Sequence, residues 1–171
     1  AEYAWWRAHN LRPEQLDYAV NLGICVAAQH RFADAEKIYE SVLVRNPAHF
    51  NALLQLGICW LLMKNYGNAK QILLRAWQLN SKDASLLRHL GLVSLTLGEK
   101  NAAANYFKAL LDVRPGNQDD QIDYALLLLD MEDWNALQAQ RDYLQTLECP
   151  TARVKQYLPV IDNALVNCVL H

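Results

Sequence analysis

Apolar residues recur three and four positions apart along most of the chain. The set Leu54, Ile58, Leu61 and Leu62 is one example, and Val154, Leu158, Ile161, Leu165 and Cys168 or Val169 is another. Such spacing gives a helix one apolar side to bury and a polar side for solvent. Broken at its prolines and turns, the pattern predicts helix pairs over 14–29 with 33–45, 48–63 with 66–79, 84–97 with 100–113, and 118–130 with 133–147. Thr151 is placed to cap a final helix, which Pro159 would kink or deprive of one hydrogen bond. Ahead of Pro13, the aromatic cluster Tyr3, Trp5 and Trp6 sits on a short helix. Six glycines and five prolines are few for a β protein, so the chain reads as all-α.

The pattern also repeats at long range. Gly23, Gly57 and Gly91 recur at a constant interval of about 34 residues, a period typical of stacked helix pairs, and one more step reaches Ala125. Each is preceded by Leu22, Leu56, Leu90 or Tyr124, and is followed at fixed offsets by Ala35, Ala69, Ala103 and Leu137, then by Tyr39, Leu73 and Phe107. Pro47, Ser81 and Pro115 close the units. A glycine inside a helix costs up to about 1 kcal/mol relative to alanine. Close approach of two helices offsets that cost, and the small residues are expected to meet across each pair, Gly23 with Ala35 and Gly57 with Ala69.

These marks resemble the tetratricopeptide repeat family. The resemblance implies a right-handed α-solenoid of antiparallel helix pairs. A short N-terminal segment over 1–12 would precede the solenoid over 13–149, with repeats at about 16–49, 50–83 and 84–117, and a degenerate fourth over 118–149. A capping helix would fill 150–171. The fourth unit is degenerate because Gln121 replaces Leu53 and Leu87, and Arg141 replaces the aromatic or leucine.

Little else in the chain suggests chemistry. The tetrapeptide Leu-Gly-Ile-Cys occurs at Leu22–Cys25 and Leu56–Cys59, but Cys25, Cys59, Cys149 and Cys168 lack metal spacing. Packed helices lie too far apart for Cys25 and Cys59 to bridge, so both read as small buried hydrophobes. His9, His30, His49, His89 and His171 are scattered, and no phosphate loop or nucleophile motif is present. We expect no enzyme, no metal and no cofactor.

Sixteen basic residues against eighteen acidic ones give a charge of -2 without a basic cluster, which argues against nucleic acid. No apolar run is long enough to enter a membrane. Unpaired thiols fit a reducing cytoplasm. The first residue is Ala rather than Met, so the chain is read as trimmed or processed, and a periplasmic location would follow if an upstream signal was removed.

In the resembled family, partners lie along a groove built by the first helix of each pair. The resemblance places Val20, Ile24, Leu54, Ile58, Leu61, Leu62, Leu92, Leu95, Ile122 and Leu126 there, with Arg88, His89, Asp119 and Asp123 among them. One subset of the family grips a carboxylate terminus with lysine, asparagine and arginine. Val20, Ile24, Gln55, Ser85 and His89 stand at those places here, so that clamp is absent. The expected partner is an apolar helical or extended segment of another protein, carrying some basic residues to meet the acidic end. A homodimer through the N- or C-terminal helix is a further expectation. The chain is loosely similar to class II chaperones of bacterial type III secretion; the alternative is a scaffold fragment of a larger envelope or pilus assembly factor. Thiol titration of protein denatured without reductant should give four free thiols, and a count of two would refute the packing role assigned to the cysteines.

Overall fold

The computed structural model describes residues 1–169; Leu170, His171 and the side chain of Val169 lie outside the description. Ten helices are found among the described residues: α1 (Glu2–Leu11), α2 (Leu16–Ala27), α3 (Phe32–Arg45), α4 (Phe50–Leu62), α5 (Tyr66–Leu79), α6 (Ala84–Thr96), α7 (Lys100–Val113), α8 (Gln118–Asp130), α9 (Trp134–Gln145) and α10 (Ala152–Val169). No strand occurs among them. Each first helix (α2, α4, α6, α8) packs on the second helix that follows it, and each second helix packs on the next first helix. The result is an α-solenoid in which every pair touches mainly its neighbours.

The repeat is written into the helix ends. His49, Asp83, Asn117 and Thr151, each one repeat period after the last, accept a hydrogen bond from the amide three residues on, at 3.3, 2.8, 2.9 and 3.4 Å. These acceptors satisfy amides that the first helical turn leaves free. At the other end of the first helices, His30, Lys64, Gly98 and Glu132 have φ of 61°, 61°, 78° and 57°. The amides that follow, of Arg31, Asn65, Glu99 and Asp133, donate back to the carbonyls of Val26, Trp60, Ser94 and Leu128. Such a left-handed residue with a returning hydrogen bond is a common helix terminator, and the single glycine in the set adopts it without steric cost.

The glycines act through a different neighbour from the one expected. A Cβ on Gly23 would lie 2.4 Å from Tyr39 Cε1, one on Gly57 2.5 Å from Leu73 Cδ2, and one on Gly91 2.9 Å from Phe107 Cε2. The small residue therefore accommodates the large side chain sixteen positions on, and not Ala35 or Ala69. Those alanines are also fully buried, but they are not the nearest contacts. Tyr39, Leu73 and Phe107 are almost wholly buried, and burial raises the phenol pKa of Tyr39 well above the ordinary range.

The terminal helices continue the register. Thr151 stands one repeat after Asn117, so α10 occupies the place of a fifth first helix, and Pro159 falls one repeat after Ala125. The helix runs unbroken through Pro159. Its Val154, Ile161 and Leu165 are buried against the fourth pair. Leu11, which ends α1, precedes Arg45 at the end of α3 by the same period, and Trp5 likewise precedes Tyr39. α1 therefore has the position of a second helix. Trp5 packs against Tyr18, with ring centroids 5.9 Å apart, while Tyr3 and Trp6 remain 70% and 51% exposed.

Gly57→Leu should overpack the α4–α5 contact and cost about 1–3 kcal/mol. Gly67, inside α5 with nothing within 4 Å of an added Cβ, is the opposite case. Gly67→Ala should stabilise by about 0.5–1 kcal/mol. Thermal melts of the two variants should move in opposite directions; a Gly57→Leu protein melting with the wild type would contradict the packing described.

Candidate functional site

Every first helix carries a branched aliphatic residue immediately after the repeat's small position: Ile24, Ile58, Leu92, Leu126 and, on α10, Val160. Ile24, Leu92 and Val160 are 39%, 39% and 50% exposed, and Ile58 and Leu126 are partly exposed. A buried residue on the same helices gives packing; a half-exposed aliphatic row gives a surface. Val160 was not among the expected groove residues because α10 reads as a cap, although one further repeat step from Leu126 reaches it. Leu61, Leu62 and Leu95 flank the row, Leu62 being 57% and Leu95 37% exposed. Between α6 and α8 the row opens into a cavity of about 200 Å³ lined by Leu92, Leu95, Phe107, Asp123, Leu126 and Leu127, with Asp130 at its edge.

Three expected groove residues are core instead. Val20, Leu54 and Ile122 are 3%, 5% and 0% exposed and present no surface to a partner. They lie four residues before Ile24, Ile58 and Leu126, on the side of each helix turned toward its neighbours.

The acidic end also differs from expectation. Asp123 bonds to Arg88 at 3.2 Å and to Arg153, while Asp119 lies 3.8 Å from Arg153. Asp130 is bridged to Lys100 at 2.8 Å. Arg88, expected to face a ligand, also pairs with Asp120, whose carboxylate is fully buried and has Arg114 as its second cation at 3.7 Å. The acids of this face thus carry their own cations, and the attraction expected for a basic partner is largely cancelled within the chain. His89 lies beside this cluster with Nδ1 2.6 Å from the Ser85 carbonyl, which can only accept, so the ring proton sits on Nδ1. Burial, with a smaller contribution from Arg88, lowers its pKa and keeps the ring uncharged at neutral pH.

Of the two cysteines expected to be buried, Cys59 is and Cys25 is only partly so, because it lies at the more open side of the first unit's helix; Cys149 is exposed. Cys59 is buried, donates to the Phe32 carbonyl at 3.3 Å, and has its pKa pushed up to about 11 by burial, with Glu36 adding to it. A larger hollow of about 560 Å³ lies between the second helices α5 and α7, lined by Trp77, Leu87, Tyr106, Ala109 and Val113 among others. Its walls come from residues scattered over two units, and no single motif marks it. No group of acids, histidines and cysteines suited to a metal ion is found among the described residues, and no described helix is long and apolar enough to cross a membrane.

Residues 26–90 match the family model described as the tetratricopeptide repeat. Those residues carry the tetratricopeptide repeat. Over 116 residues it is 25% identical to the tetratricopeptide repeat-containing protein trd-1 of Caenorhabditis elegans, covering 68% of this chain and 15% of that protein, so the chain spans only a small part of this curated relative. Among solved structures it is similar in fold to YrrB, described as a TPR protein with an unusual peptide-binding site, at 16% identity and a TM-score of 0.75 over 83% of this chain and 73% of that one. It is also similar to Pseudomonas aeruginosa pilF, at 22% identity and 0.76 over 88% and 68%, and to MamA, at 17% and 0.68 over 99% and 90%. A tetratricopeptide repeat solenoid is a scaffold for protein–protein interaction.

Arg88→Met strips Asp120 of its nearest cation and should cost about 3 kcal/mol, as breaking a buried pair does. The corresponding positions in neighbouring first helices are Ala52, Leu86 and Val154, all buried and apolar. Adding Asp120→Leu to Arg88→Met should therefore restore most of the loss. Denaturant melts of the two single variants and the double variant measure the coupling, and strictly additive losses would show that the pair is not the cause.

Proposed function

We propose that this chain is a non-enzymatic adaptor or chaperone that holds an apolar segment of a partner protein along the face built by α2, α4, α6, α8 and α10. The observation that carries this reading is the five-membered row Ile24, Ile58, Leu92, Leu126 and Val160, at least partly exposed in every unit and leading into the cavity by Leu95. An aliphatic row with its charges paired internally favours a partner that buries hydrocarbon, helical or extended, over one that needs countercharge. The peptide-binding description attached to the YrrB structure supports the class of ligand. In the finer form of this reading the chain is a chaperone of the type III secretion kind that shields such a segment in the cytoplasm before secretion.

A second reading is favoured by the lengths. The chain spans 15% of trd-1 and shares its fold with pilF, as a scaffold segment of a larger envelope or pilus assembly factor would.

The test is affinity for apolar peptides selected from a displayed library on the wild-type protein. In titration calorimetry, Ile58→Asp and Leu92→Asp should each weaken the selected peptide at least tenfold, since an uncompensated charge facing a buried apolar anchor costs roughly 2 kcal/mol or more. Lys37→Asp, exposed on α3, should bind as the wild type does. Unchanged affinity in both groove variants, with unchanged circular dichroism, would remove the site from this face.

A further inference from the structure

The turns that lead into α2, α4, α6 and α8 carry Pro13, Pro47, Ser81 and Pro115, one repeat period apart. At three of these turns the backbone carbonyl is bound by a long side chain of the second helix that follows. Arg45 donates to Pro13, Arg75 to Pro47 at 3.2 Å, and the Tyr143 hydroxyl to Pro115 at 3.0 Å. Each of these side chains thereby occupies the crease between its own helix and the second helix before it. α7 has no equivalent. Ala109 stands where α5 has Arg75 and α9 has Tyr143, and Val113 stands where α3 has Arg45. Among the described residues no side chain donates to the Ser81 carbonyl. The hollow of about 560 Å³ between α5 and α7 opens at this place, with Ser81, Ala109 and Val113 in its wall. The crease between α3 and α5, where Leu43, Ile72 and Arg75 take the places of Trp77, Tyr106 and Ala109, holds about 350 Å³.

We propose that this hollow receives an arginine side chain of a partner protein, which supplies from outside the group that the other creases take from the chain itself. The walls suit that side chain along its length. Trp77 and Tyr106 offer ring faces to its methylenes and its planar guanidinium, over a floor that includes the buried Leu87. This aromatic pair is particular to the open crease, since the crease between α7 and α9 has Leu111 and Gln140 at those positions. The Ser81 carbonyl is left to accept one N–H of the guanidinium. Asp112, also in the wall, has no cation partner among the described residues, and a charge-assisted bond to it favours arginine over the neutral tyrosine that fills the last crease. Lys82 lines the rim as well and opposes a cation, so its charge sets the sign of one test below. The site lies between second helices, apart from the aliphatic row on the first helices, and does not rest on the groove reading.

Two-dimensional NMR of the full chain tests this through the indole N–H signal of Trp77, assigned by its loss in Trp77→Phe, with acetyl-arginine amide as the probe. The signal should shift and saturate with the roughly millimolar Kd expected of so small a ligand. Acetyl-citrulline amide, of the same shape but uncharged, should bind at least about fivefold more weakly, and so should the arginine probe on Asp112→Asn, a change at an exposed position. Lys82→Met should tighten the binding. Ala109→Arg gives the crease a guanidinium of its own and should abolish the titration without lowering the melting temperature. Ile58→Asp should titrate as the wild type does, so a failure of the aliphatic row and a failure of the hollow are told apart. No saturable shift up to about 50 mM, equal binding of the citrulline compound, or undiminished binding by Asp112→Asn or Ala109→Arg would each overturn the proposal. Weaker binding by Lys82→Met would do so as well, by marking the hollow as a site for anions.

Discussion

The structure depends on a missing side chain. At Gly23, Gly57 and Gly91 the backbone of a first helix comes so close to the second helix that an added Cβ would overlap Tyr39, Leu73 or Phe107. The glycine sets the spacing of the pair, the large residue fills it, and the stacked pairs inherit one repeated geometry. Exposure of the aliphatic row follows from this. Once the small residue is turned inward, the residue after it is rotated about 100° around the helix axis, away from the pair and toward the common face. Buried and exposed apolar positions are therefore adjacent in sequence in every unit.

Much of this was legible in the sequence because it is periodic. The constant repeat step located the helices to within about two residues, along with most of the aliphatic row, while of the caps only Thr151 was read. It did not say how far around each helix the core extends. Val20, Leu54 and Ile122 belong to the apolar surface of their helices, and only the neighbouring elements decide that they are covered. Nor could it show that Asp119, Asp123 and Asp130 are paired, since Arg153 and Lys100 are distant in sequence and meet them only in the stacked array. Val160 was hidden for the opposite reason: it obeys the period, but stands in a segment whose second helix is absent from the pattern.

The fourth unit shows how a repeat can lose its consensus residues and stay joined. Gln121 replaces a core leucine, but its amide donates to the Pro115 carbonyl at 2.7 Å and it also pairs with Gln140. Arg141 replaces the large apolar residue and reaches α10 through Asp162. Asp120 brings a buried charge to a site that is apolar in the adjacent first helices. Directional bonds here take over from shape, and they carry narrower tolerances: a hydrocarbon contact degrades gradually with displacement, whereas a buried polar group that loses its partner bears its full desolvation cost.

The neighbour-to-neighbour stacking also shapes how the molecule opens. In a linear array each unit is held by the units beside it, so an end helix can detach without unfolding the middle. α1, with nothing fully buried, is the element held least firmly, while α4 and α6 contribute to the core on both sides. Amide protection should accordingly be shallow in α1 and deepest in α4 and α6, so that exchange along the chain reads how firmly each helix is clasped by the ones beside it.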